Sequence, residues 1–516
     1  MISRRDALRA GGGVAAALGL AACGSSGTQS SPSTTGQPRR GGSLTAGIDG
    51  GSSADTVDAN GAVAYPDWCR VLSLYDQLVG SDANFQPHYY LADEVTPNAS
   101  ATQWTIRVKK GITFHNGKEL TADDVIYTLQ RIWNPKSPFQ GASGLALLDL
   151  ASMRKADTYT VTIPTHQPYF SFTDTLRDWF YLIVPVGYDP HHPVGTGPFK
   201  FKSFTPGQQS VFVRNENYWN HPRPYIDELT ITDFPDVTAR VNAVQSGQVD
   251  VIDQIPPSLV GGLRGSSGVE LLIARNTGLF NPITMQVDTS PFNDVRVRQA
   301  MRLIADRKQL IELSLGGYGQ LCNDLFAIYD PAYNHSLPQR EQDIGQAKHL
   351  LKAAGQSNLT VTLVTGPVAN GFVEGATVFA TQAKQAGVTV RVQNLPTNTF
   401  YGPTYLHRPF SQDTWTGVPY LTQVAQSMLK SSPYNDTHWY NPRYASLYRQ
   451  AEAEPDISKR TDIIHEMQTM EWNEGGYLGY AFFGVVDAYR SNVHGLIRSK
   501  TGWSLGNYDF SGAWLS

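Results

Sequence analysis

The sequence predicts an α/β fold for this 516-residue chain, and three of its features favour that class. The length and a hydrophobic content of 41% are enough for two or three domains with sizeable cores. Residues 102–109 alternate between polar and apolar, which places Trp104, Ile106 and Val108 on one face of a strand. Residues 344–393 alternate between helix and strand patterns, which indicates a lobe built on a parallel sheet.

The remaining elements follow from hydrophobic period and boundary residues. Thr121, with Asp124 three residues later, has the pattern of a helix N-cap, and Asn116-Gly117 is typical of a hairpin turn. Further strands are predicted at 43–48, 160–163, 210–214, 359–364 and 389–393. Helices that stop at glycine are predicted at 237–246, 344–354 and 372–386, with one long helix at 295–315.

The first 22 residues have the layout of a signal peptide. Arg4 and Arg5 precede a weakly apolar run, and small residues lead up to Cys23. The paired arginines indicate the twin-arginine export route, and the cysteine resembles that of a bacterial lipobox, which becomes a lipid-bearing N-terminus. A short amphipathic or core helix with an incidental cysteine is the alternative. Residues 23–40 are rich in Ser, Thr and Gly and are predicted to form a flexible tether.

Charge and hydropathy exclude two classes of protein. The 41 Lys and Arg against 45 Asp and Glu give a net charge of −4 without a basic block, so no nucleic-acid partner is expected. No segment after residue 22 reaches the roughly 18 apolar residues of a membrane span, so we expect the rest of the chain to be soluble. Export would permit a disulfide between Cys69 and Cys322, but their spacing neither favours nor excludes one.

Signatures of catalysis and metal binding are missing or incomplete. The chain has no Gly-x-Ser-x-Gly motif, and the glycines of 111–118 are one residue too far apart for a phosphate loop, so a hairpin is expected there. His465-Glu466 lacks the second histidine of a zinc-protease helix, and the adjacent His191 and His192 point apart. We therefore expect no enzyme, no cofactor and no metal site.

Aromatic residues are abundant, with ten Trp and 25 Tyr. Several lie in polar, Gly- and Pro-rich surroundings, in the segments 65–68, 401–405, 413–415 and 435–440. Aromatic side chains with a polar end line ligand clefts because they provide a large contact area with few torsions to freeze. Packing beneath loops is the alternative for each of them.

Motifs along nearly all of the chain after residue 39 occur in an order that resembles the family 5 extracellular solute-binding proteins. This group serves ATP-driven importers of oligopeptides, dipeptides and nickel. The matching stretches are 40–45, 74–79, 106–118, 120–127, 194–200, 214–219, 246–250, 291–300 and 347–355. Most of them suit roles in the fold. Gly195 and Gly197, for example, suit a crossing between lobes that needs backbone freedom.

The resemblance implies a two-lobed periplasmic-binding-protein-like type II fold with an extra subdomain and an interlobe ligand cleft that closes by a hinge motion. Lobe I would comprise residues 41–80, 196–280 and 488–516. The extra subdomain would span 81–195, and lobe II would span 281–487.

The family pattern also implies a set of ligand-binding residues. Peptide-binding members carry an acid shortly after a tryptophan, which pairs with the α-ammonium group of the peptide. Trp415 matches that tryptophan, but residues 416–420 contain no acid, and Asp413 precedes it. Peptides, modified peptides, oligosaccharides and metal chelates therefore stay open as ligands. Aromatic residues would stack on the solute, Arg408 would meet an anionic group, and Asp413 a cationic or hydroxyl group. By position the candidates are Tyr65, Trp68, Phe280, Tyr405, Arg408, Asp413, Trp415 and Phe483.

The function that this resemblance implies is that of an extracytoplasmic, monomeric substrate-binding lipoprotein. It would be anchored to the cell membrane through Cys23, in the periplasm or on the outer face of the cytoplasmic membrane, and would deliver solute to the permease of an ABC importer. A sensor with the same cleft and a secreted hydrolase are the alternatives. Neighbouring permease and ATPase genes would favour transport, and turnover of a ligand would favour the hydrolase.

Overall fold

The computed structural model describes residues 36–516, in which helices and strands alternate along the chain. The predicted signal peptide, Cys23 and the first part of the predicted tether lie outside these residues. The strands, in chain order, are β1 Ser43–Asp49, β2 Val79–Ser81, β3 Pro87–Tyr89, β4 Ala92–Pro97, β5 Gln103–Val108, β6 Arg154–Asp157, β7 Thr160–Pro164, β8 Phe199–Thr205, β9 Gln209–Arg214, β10 Glu228–Phe234, β11 Val251–Ile252, β12 Val269–Phe280, β13 Ile283–Met285, β14 Gly319–Leu321, β15 Thr360–Thr365, β16 Thr389–Asn394, β17 Phe410–Gln412, β18 Tyr477–Leu478, β19 Ala481–Arg490, β20 Val493–His494 and β21 Trp514–Leu515.

The helices lie between and beside these strands. In chain order they are α1 Tyr65–Leu74, α2 Ala122–Trp133, α3 Phe172–Thr175, α4 Val237–Ser246, α5 Pro257–Arg264, α6 Val295–Ile304, α7 Arg307–Leu315, α8 Ile344–Ala353, α9 Phe372–Gln385, α10 Thr397–Phe400, α11 Tyr420–Ser427, α12 Pro442–Ala453 and α13 Ile457–Glu474. Short 3₁₀ turns occur at Gln140–Leu145, Leu150–Ser152 and Phe510–Gly512.

The largest sheet is mixed and gathers strands from distant parts of the chain. Its order is β12-β19-β11-β1-β10-β9-β8, and β14 also pairs with β19. β1 runs parallel to β10 and β11, whereas β12 and β19 pair antiparallel. Residues before 50, between 199 and 280, and after 480 therefore share one sheet, which the order of elements along the chain does not reveal.

Smaller sheets complete the fold. β4-β5-β7-β6 form an antiparallel sheet, in which Trp104, Ile106 and Val108 are buried as the alternation predicted. β15 and β16 pair in parallel, which confirms the parallel pairing predicted for residues 344–393. β17-β13-β18 form a three-stranded antiparallel sheet that carries segments of the site described below.

Local signals placed most of the predicted elements correctly. The backbone N–H and the hydroxyl of Thr121 both donate to the Asp124 carboxylate at the start of α2, so the predicted capping box is present. α4 ends at Gly247, which has the left-handed backbone conformation (φ +80°) that glycine adopts at little cost.

The long helix predicted at 295–315 is wrong, because the chain forms two helices there. α6 ends at Ile304, and α7 begins at Arg307 after Ala305 and Asp306 adopt extended conformations. The Asp306 side chain accepts a hydrogen bond from the backbone N–H of Gln309 at 3.0 Å and caps α7. The apolar periodicity of the sequence continues across the break, so the periodicity alone does not reveal that Asp306 starts a new helix.

Gly195 and Gly197 are required for space rather than for the backbone freedom that we expected. A Cβ atom on Gly195 would lie 1.9 Å from the carbonyl oxygen of Leu74, and one on Gly197 would lie 2.6 Å from the same atom. Neither glycine has a positive φ. The two glycines let this segment pass directly against the end of α1.

Cys69 and Cys322 are both free thiols and both fully buried. Cys69 lies on α1, in the core beneath the large sheet, and Cys322 lies in a separate core next to Phe280. The disulfide that export would permit is therefore absent from this structure.

A buried arginine ties α1 to the large sheet. Arg70 is completely buried, donates to Ser210 Oγ at 3.1 Å, and forms ion pairs with Asp55 and Asp67 at 3.2 and 3.4 Å and with Asp233. One cation thus faces three carboxylates, and burial raises the pKa of Asp233 to about 6 despite the attraction of Arg70.

Replacing this arginine tests the arrangement. Arg70→Met keeps most of the volume but leaves three carboxylates without their cation, so the free energy of unfolding should fall by about 3–5 kcal/mol. Urea denaturation at pH 7.5 measures the change. Arg107→Met is the matched control. Arg107 is exposed in its ion pairs with Asp93 and Glu94, so this substitution should lower the free energy of unfolding only slightly. Equal effects of the two substitutions would contradict this account.

Candidate functional site

Two acidic residues come together beneath a pair of tyrosines in the C-terminal half of the chain. Asp413 follows β17, and Asp436 lies in the loop before α12. Their exposed fractions are only 2% and 5%. The two carboxyls lie within hydrogen-bonding reach of each other.

Tyrosine hydroxyls surround this pair. Tyr405 donates to Asp413 Oδ2 at 2.7 Å and Tyr401 donates to Asp413 Oδ1 at 3.4 Å. Tyr477, on β18, donates to Asp436 Oδ1 at 2.9 Å. The second oxygen of Asp436, Oδ2, is buried and receives no hydrogen bond from any protein donor.

The electrostatics of the pair are unfavourable for two negative charges. Burial raises the pKa of Asp413. Burial, followed by repulsion from Asp413, raises the pKa of Asp436 well above its ordinary value. Within residues 36–516, neither carboxylate forms an ion pair. A buried acid pair without a cation is costly, so this place is suited to receiving one.

Other buried polar atoms without partners lie in the same segments. Asn281, with an exposed fraction of 1%, accepts the Thr414 hydroxyl at 2.7 Å but leaves its Nδ2 donor unused. Trp415 pairs through its backbone with Phe280, at 2.8 and 2.9 Å, while its indole Nε1 finds no acceptor. Buried donors without partners are rare in folded proteins, and a bound ligand or water can satisfy them.

A second, aromatic group of residues is contributed by α1 and the C-terminal segment. Trp503 packs against Trp68 and Trp179 with ring centroids 5.5 and 5.7 Å apart, and Tyr65 meets it edge-on at 6.4 Å. The Nε1 donor of Trp503 is buried and unused. Tyr65 is close enough to Tyr401 to help raise the pKa of that hydroxyl. Tyr65 therefore links the aromatic group to the tyrosines of the acid pair.

Trp503 is held by an unusual turn. Leu505, Gly506, Asn507 and Tyr508 all have positive φ, between 49° and 72°, a conformation that costs residues other than glycine about 1–2 kcal/mol each. The backbone N–H of Leu505 donates a hydrogen bond to Asp487 Oδ2 at 2.6 Å, and the hydroxyl of Tyr508 donates one to Asp253 Oδ2 at 2.8 Å. Such strain is retained where a precise geometry is needed.

The likeness of this chain to known proteins identifies its family. The model for "bacterial extracellular solute-binding proteins, family 5 Middle" matches residues 86–442. The chain belongs to this family.

Relatives of this family 5 protein match it over most of its length. The peptide transport periplasmic protein SapA of Salmonella typhimurium is 24% identical over 477 residues, which cover 85% of this chain and 86% of SapA. The ABC transporter-associated periplasmic binding protein DppA of Helicobacter pylori, in complex with the peptide STSA, superposes with a TM-score of 0.80 at 20% identity, covering 92% of this chain and 98% of DppA. NikZ of Campylobacter jejuni, in complex with Ni(L-His), superposes with a TM-score of 0.79 at 17% identity, covering 91% of this chain and 97% of NikZ. The predicted type II periplasmic-binding-protein fold is confirmed.

The structure brings together some of the residues that we selected from the sequence of this family 5 protein. Tyr405 and Asp413 are in contact, Trp415 is two residues further on, and Tyr65 belongs to the facing aromatic group. Arg408 donates to Thr404 and to the carbonyl of Phe400, and its Nη1 has no partner.

Three other candidates pack within hydrophobic cores. Trp68 lies beneath the large sheet, where its ring also meets Phe180 at 5.6 Å. Phe280 packs among the rings of Phe326, Tyr477 and Phe482. Phe483 packs with Tyr480, at 5.4 Å. The exposed fraction of each of the three side chains is at most 6%, so they serve packing in this structure.

Sequence reasoning missed Asp436, Tyr401 and Trp503 as individual residues. Two of them lie in aromatic segments that the sequence did single out, 401–405 and 435–440. The local signal for Asp436 was an acid within an aromatic, polar loop, but its partner is 23 positions away and only the fold brings the two together. No local signal marked Trp503.

Other parts of residues 36–516 show no competing centre. No group of three or more His, Cys, Asp or Glu side chains is placed to hold a metal ion. No helix there is both long and apolar enough to cross a membrane. A cavity of about 200 Å³ lies behind the Trp503 turn, against Trp179 and Asn507. The buried Asp76 at this cavity is already bonded to Thr196, Tyr218 and Trp219.

The acid that holds the Trp503 turn should make stability depend on pH. Burial, with a smaller contribution from Asp253, raises the pKa of Asp487 to about 7. A raised carboxyl pKa gives stability that is complete below the pKa of the unfolded chain and is lost as pH rises through 7. Asp487→Asn removes this loss. The stability of the variant relative to wild type should therefore rise between pH 5 and 7, by at most about 1.4 kcal/mol per pH unit.

Urea denaturation at several pH values measures this difference. Asp462→Asn, an exposed position on α13, is the control and should run parallel to wild type at every pH. If Asp487→Asn also ran parallel to wild type, Asp487 would not be the buried acid described above.

Proposed function

We propose that the protein captures a small solute between the acid pair of Asp413 and Asp436 and the aromatic group around Trp503. The unused buried atoms Asp436 Oδ2, Trp415 Nε1 and Trp503 Nε1 support this most directly, because buried polar atoms without partners are rare and a ligand can satisfy them. A ligand that supplied their partners would hold the two groups together. Capture for delivery to the permease of an ABC importer, without catalysis, is the role that follows.

We propose that the capture unit is divided as the family pattern suggests. Lobe I comprises 41–80, 196–280 and 488–516, the extra subdomain comprises 81–195, and lobe II comprises 281–487. The sheets support this division, since the large sheet draws most of its strands from the lobe I segments and the β4-β5-β7-β6 sheet lies within the subdomain. β19 crosses from lobe II into lobe I, and its antiparallel partner β12 ends where lobe II begins, so these two strands are suited to act as the hinge.

The ligand is a peptide or another small solute. SapA is named for peptide transport, DppA was solved with a peptide, and NikZ was solved with a nickel–histidine complex. The absence of an acid in residues 416–420 argues that this chain does not hold its ligand as the peptide binders do. The pair of acids from two other segments is the feature that replaces it.

We propose that the protein is a monomer held at the outer face of the cytoplasmic membrane. Arg4 and Arg5 direct export, lipid on Cys23 is the anchor, and residues 23–40 are the tether. A flexible tether lets the capture unit reach a permease in the same membrane.

Capture should be visible as a gain in thermal stability. A solute that binds the closed form should raise the melting temperature and compact the protein, because binding only one state shifts the equilibrium toward it. Differential scanning fluorimetry against a solute library, followed by small-angle X-ray scattering of the hits, measures both effects.

A matched pair of variants locates the site. Trp415→Ala should weaken binding of each hit at least about tenfold, since it removes the contact area and the indole donor. Trp133→Ala, at an exposed tryptophan of α2, should leave affinity unchanged. A complete library without any shift, or equal losses in both variants, would contradict capture at this place.

The anchor has its own test. Cys23→Ser removes the thiol that carries the lipid, so the exported protein should move from the membrane fraction to the soluble extracytoplasmic fraction. Metabolic labelling with a radioactive fatty acid should mark the wild type alone. Retention of the serine variant in the membrane fraction would contradict an anchor at Cys23.

A further inference from the structure

The acid pair has a property that solute capture alone does not require. Asp413 and Asp436 face each other across a hydrogen-bonding distance, both are at least 95% buried, and within residues 36–516 no base pairs with either. Two adjacent carboxylates repel each other strongly in a buried site, and one proton shared between them relieves that repulsion.

The side chains that donate to Asp413 and Asp436 are neutral. Only a proton on one of the two acids therefore reduces the negative charge of the pair. Tyr401 and Tyr405 face Asp413, and Tyr477 faces Asp436, each as a neutral donor whose pKa is raised by burial. Tyr65 approaches from the aromatic group and is also neutral. Arg408 acts on Asp413 only from a distance, since its guanidinium donates to Phe400 and Thr404.

The second carboxyl oxygen of Asp436 is an acceptor that an additional donor could use. Tyr477 donates to Asp436 Oδ1, whereas Oδ2 receives nothing from the protein. Both oxygens of Asp413 are occupied by donors. A charged N–H group that approached Oδ2 would meet both acids and would complete the hydrogen bonding of the buried site.

We propose that Asp413 and Asp436 form an exchange site, in which the cationic group of the solute takes the place of the shared proton. The empty pair holds one proton, the arriving ammonium or similar compact cation occupies the space beside Asp436 Oδ2, and one proton leaves to the solvent. The net charge of the site is −1 in both states, because one positive charge leaves as the other arrives. The proposal rests on the proposed function and names its solute class, namely small molecules with a compact positive charge.

The first test needs no ligand. The pKa of Asp436 is raised in the fold, so the pair stabilises the ligand-free protein at low pH, and this stability is lost as pH rises through the pKa of the folded pair. Asp436→Asn leaves a single acid with an amide donor beside it. Its melting temperature should therefore exceed that of wild type increasingly between pH 5 and pH 8. Asp462→Asn is the control and should follow wild type. Parallel curves for wild type and Asp436→Asn would overturn the shared proton.

The second test uses matched probes. Trialanine and putrescine each carry free ammonium groups, and N-acetyl trialanine and diacetyl putrescine lack them. Binding is measured by calorimetry at pH 6 in two buffers of different ionisation enthalpy. Each free amine should bind and release close to one proton. Its acetylated form should not bind. Affinity should rise about tenfold per pH unit while the pair holds its proton. Asp436→Asn should bind the amine at least about tenfold more weakly and release no proton.

The outcomes separate the exchange site from solute capture. If acetylated probes or uncharged library hits bind as tightly as amines, with no proton released and no effect of Asp436→Asn, the exchange site is overturned while capture stands. If no amine binds and the two ligand-free melting curves run parallel, the exchange site is likewise overturned. If the library finds no solute at all, the proposed function fails first.

Discussion

The removal of two carboxyl groups from water without a cation to balance them is the constraint on which this site depends. Asp413 and Asp436 are buried by tyrosine rings that also supply their hydrogen bonds, and those hydroxyls cannot offset a second negative charge. Some buried acids elsewhere in the fold are paired with arginine. Asp324 is fully buried beside Arg307 and Arg340, and these guanidinium groups keep its pKa below the ordinary value. Single acids such as Asp76 and Asp487 are also buried without a cation, and hydrogen-bond donors hold them. Asp413 and Asp436 instead lie next to each other, so a counterion from outside would relieve their mutual repulsion.

The aromatic group around Trp503 also depends on buried acids. The left-handed turn at 505–508 is held by Asp487 on β19, which accepts a hydrogen bond from the N–H of Leu505, and by Asp253 next to β11, which accepts one from the hydroxyl of Tyr508. That turn holds Trp503 against Tyr65, Trp68 and Trp179. The aromatic group thus contributes apolar surface with an unused N–H, and the acid pair contributes carboxyls and hydroxyls, a combination suited to a solute with a small charged end and a body that can stack.

Much of the fold could be predicted from local patterns. Strand alternation placed β1, β5, β7 and β9, and glycine stops placed the ends of α4 and α8 closely, because these signals act over a few residues. The sequence did not predict the break between α6 and α7, because the apolar periodicity continues through the residue that caps α7. The site was predicted in part. Tyr405, Asp413 and Trp415 came from one segment and the family pattern, whereas Asp436 and Trp503 are brought to them only by long-range topology, which a single sequence does not encode locally.

A crystal structure of the protein with its co-purified or library-derived solute would test the central claim most directly. The account predicts a positively charged group of the solute within hydrogen-bonding distance of Asp436 Oδ2, with the solute body against Trp503 or Trp415. A solute that placed a neutral or anionic group there, or that bound away from the acid pair altogether, would contradict it.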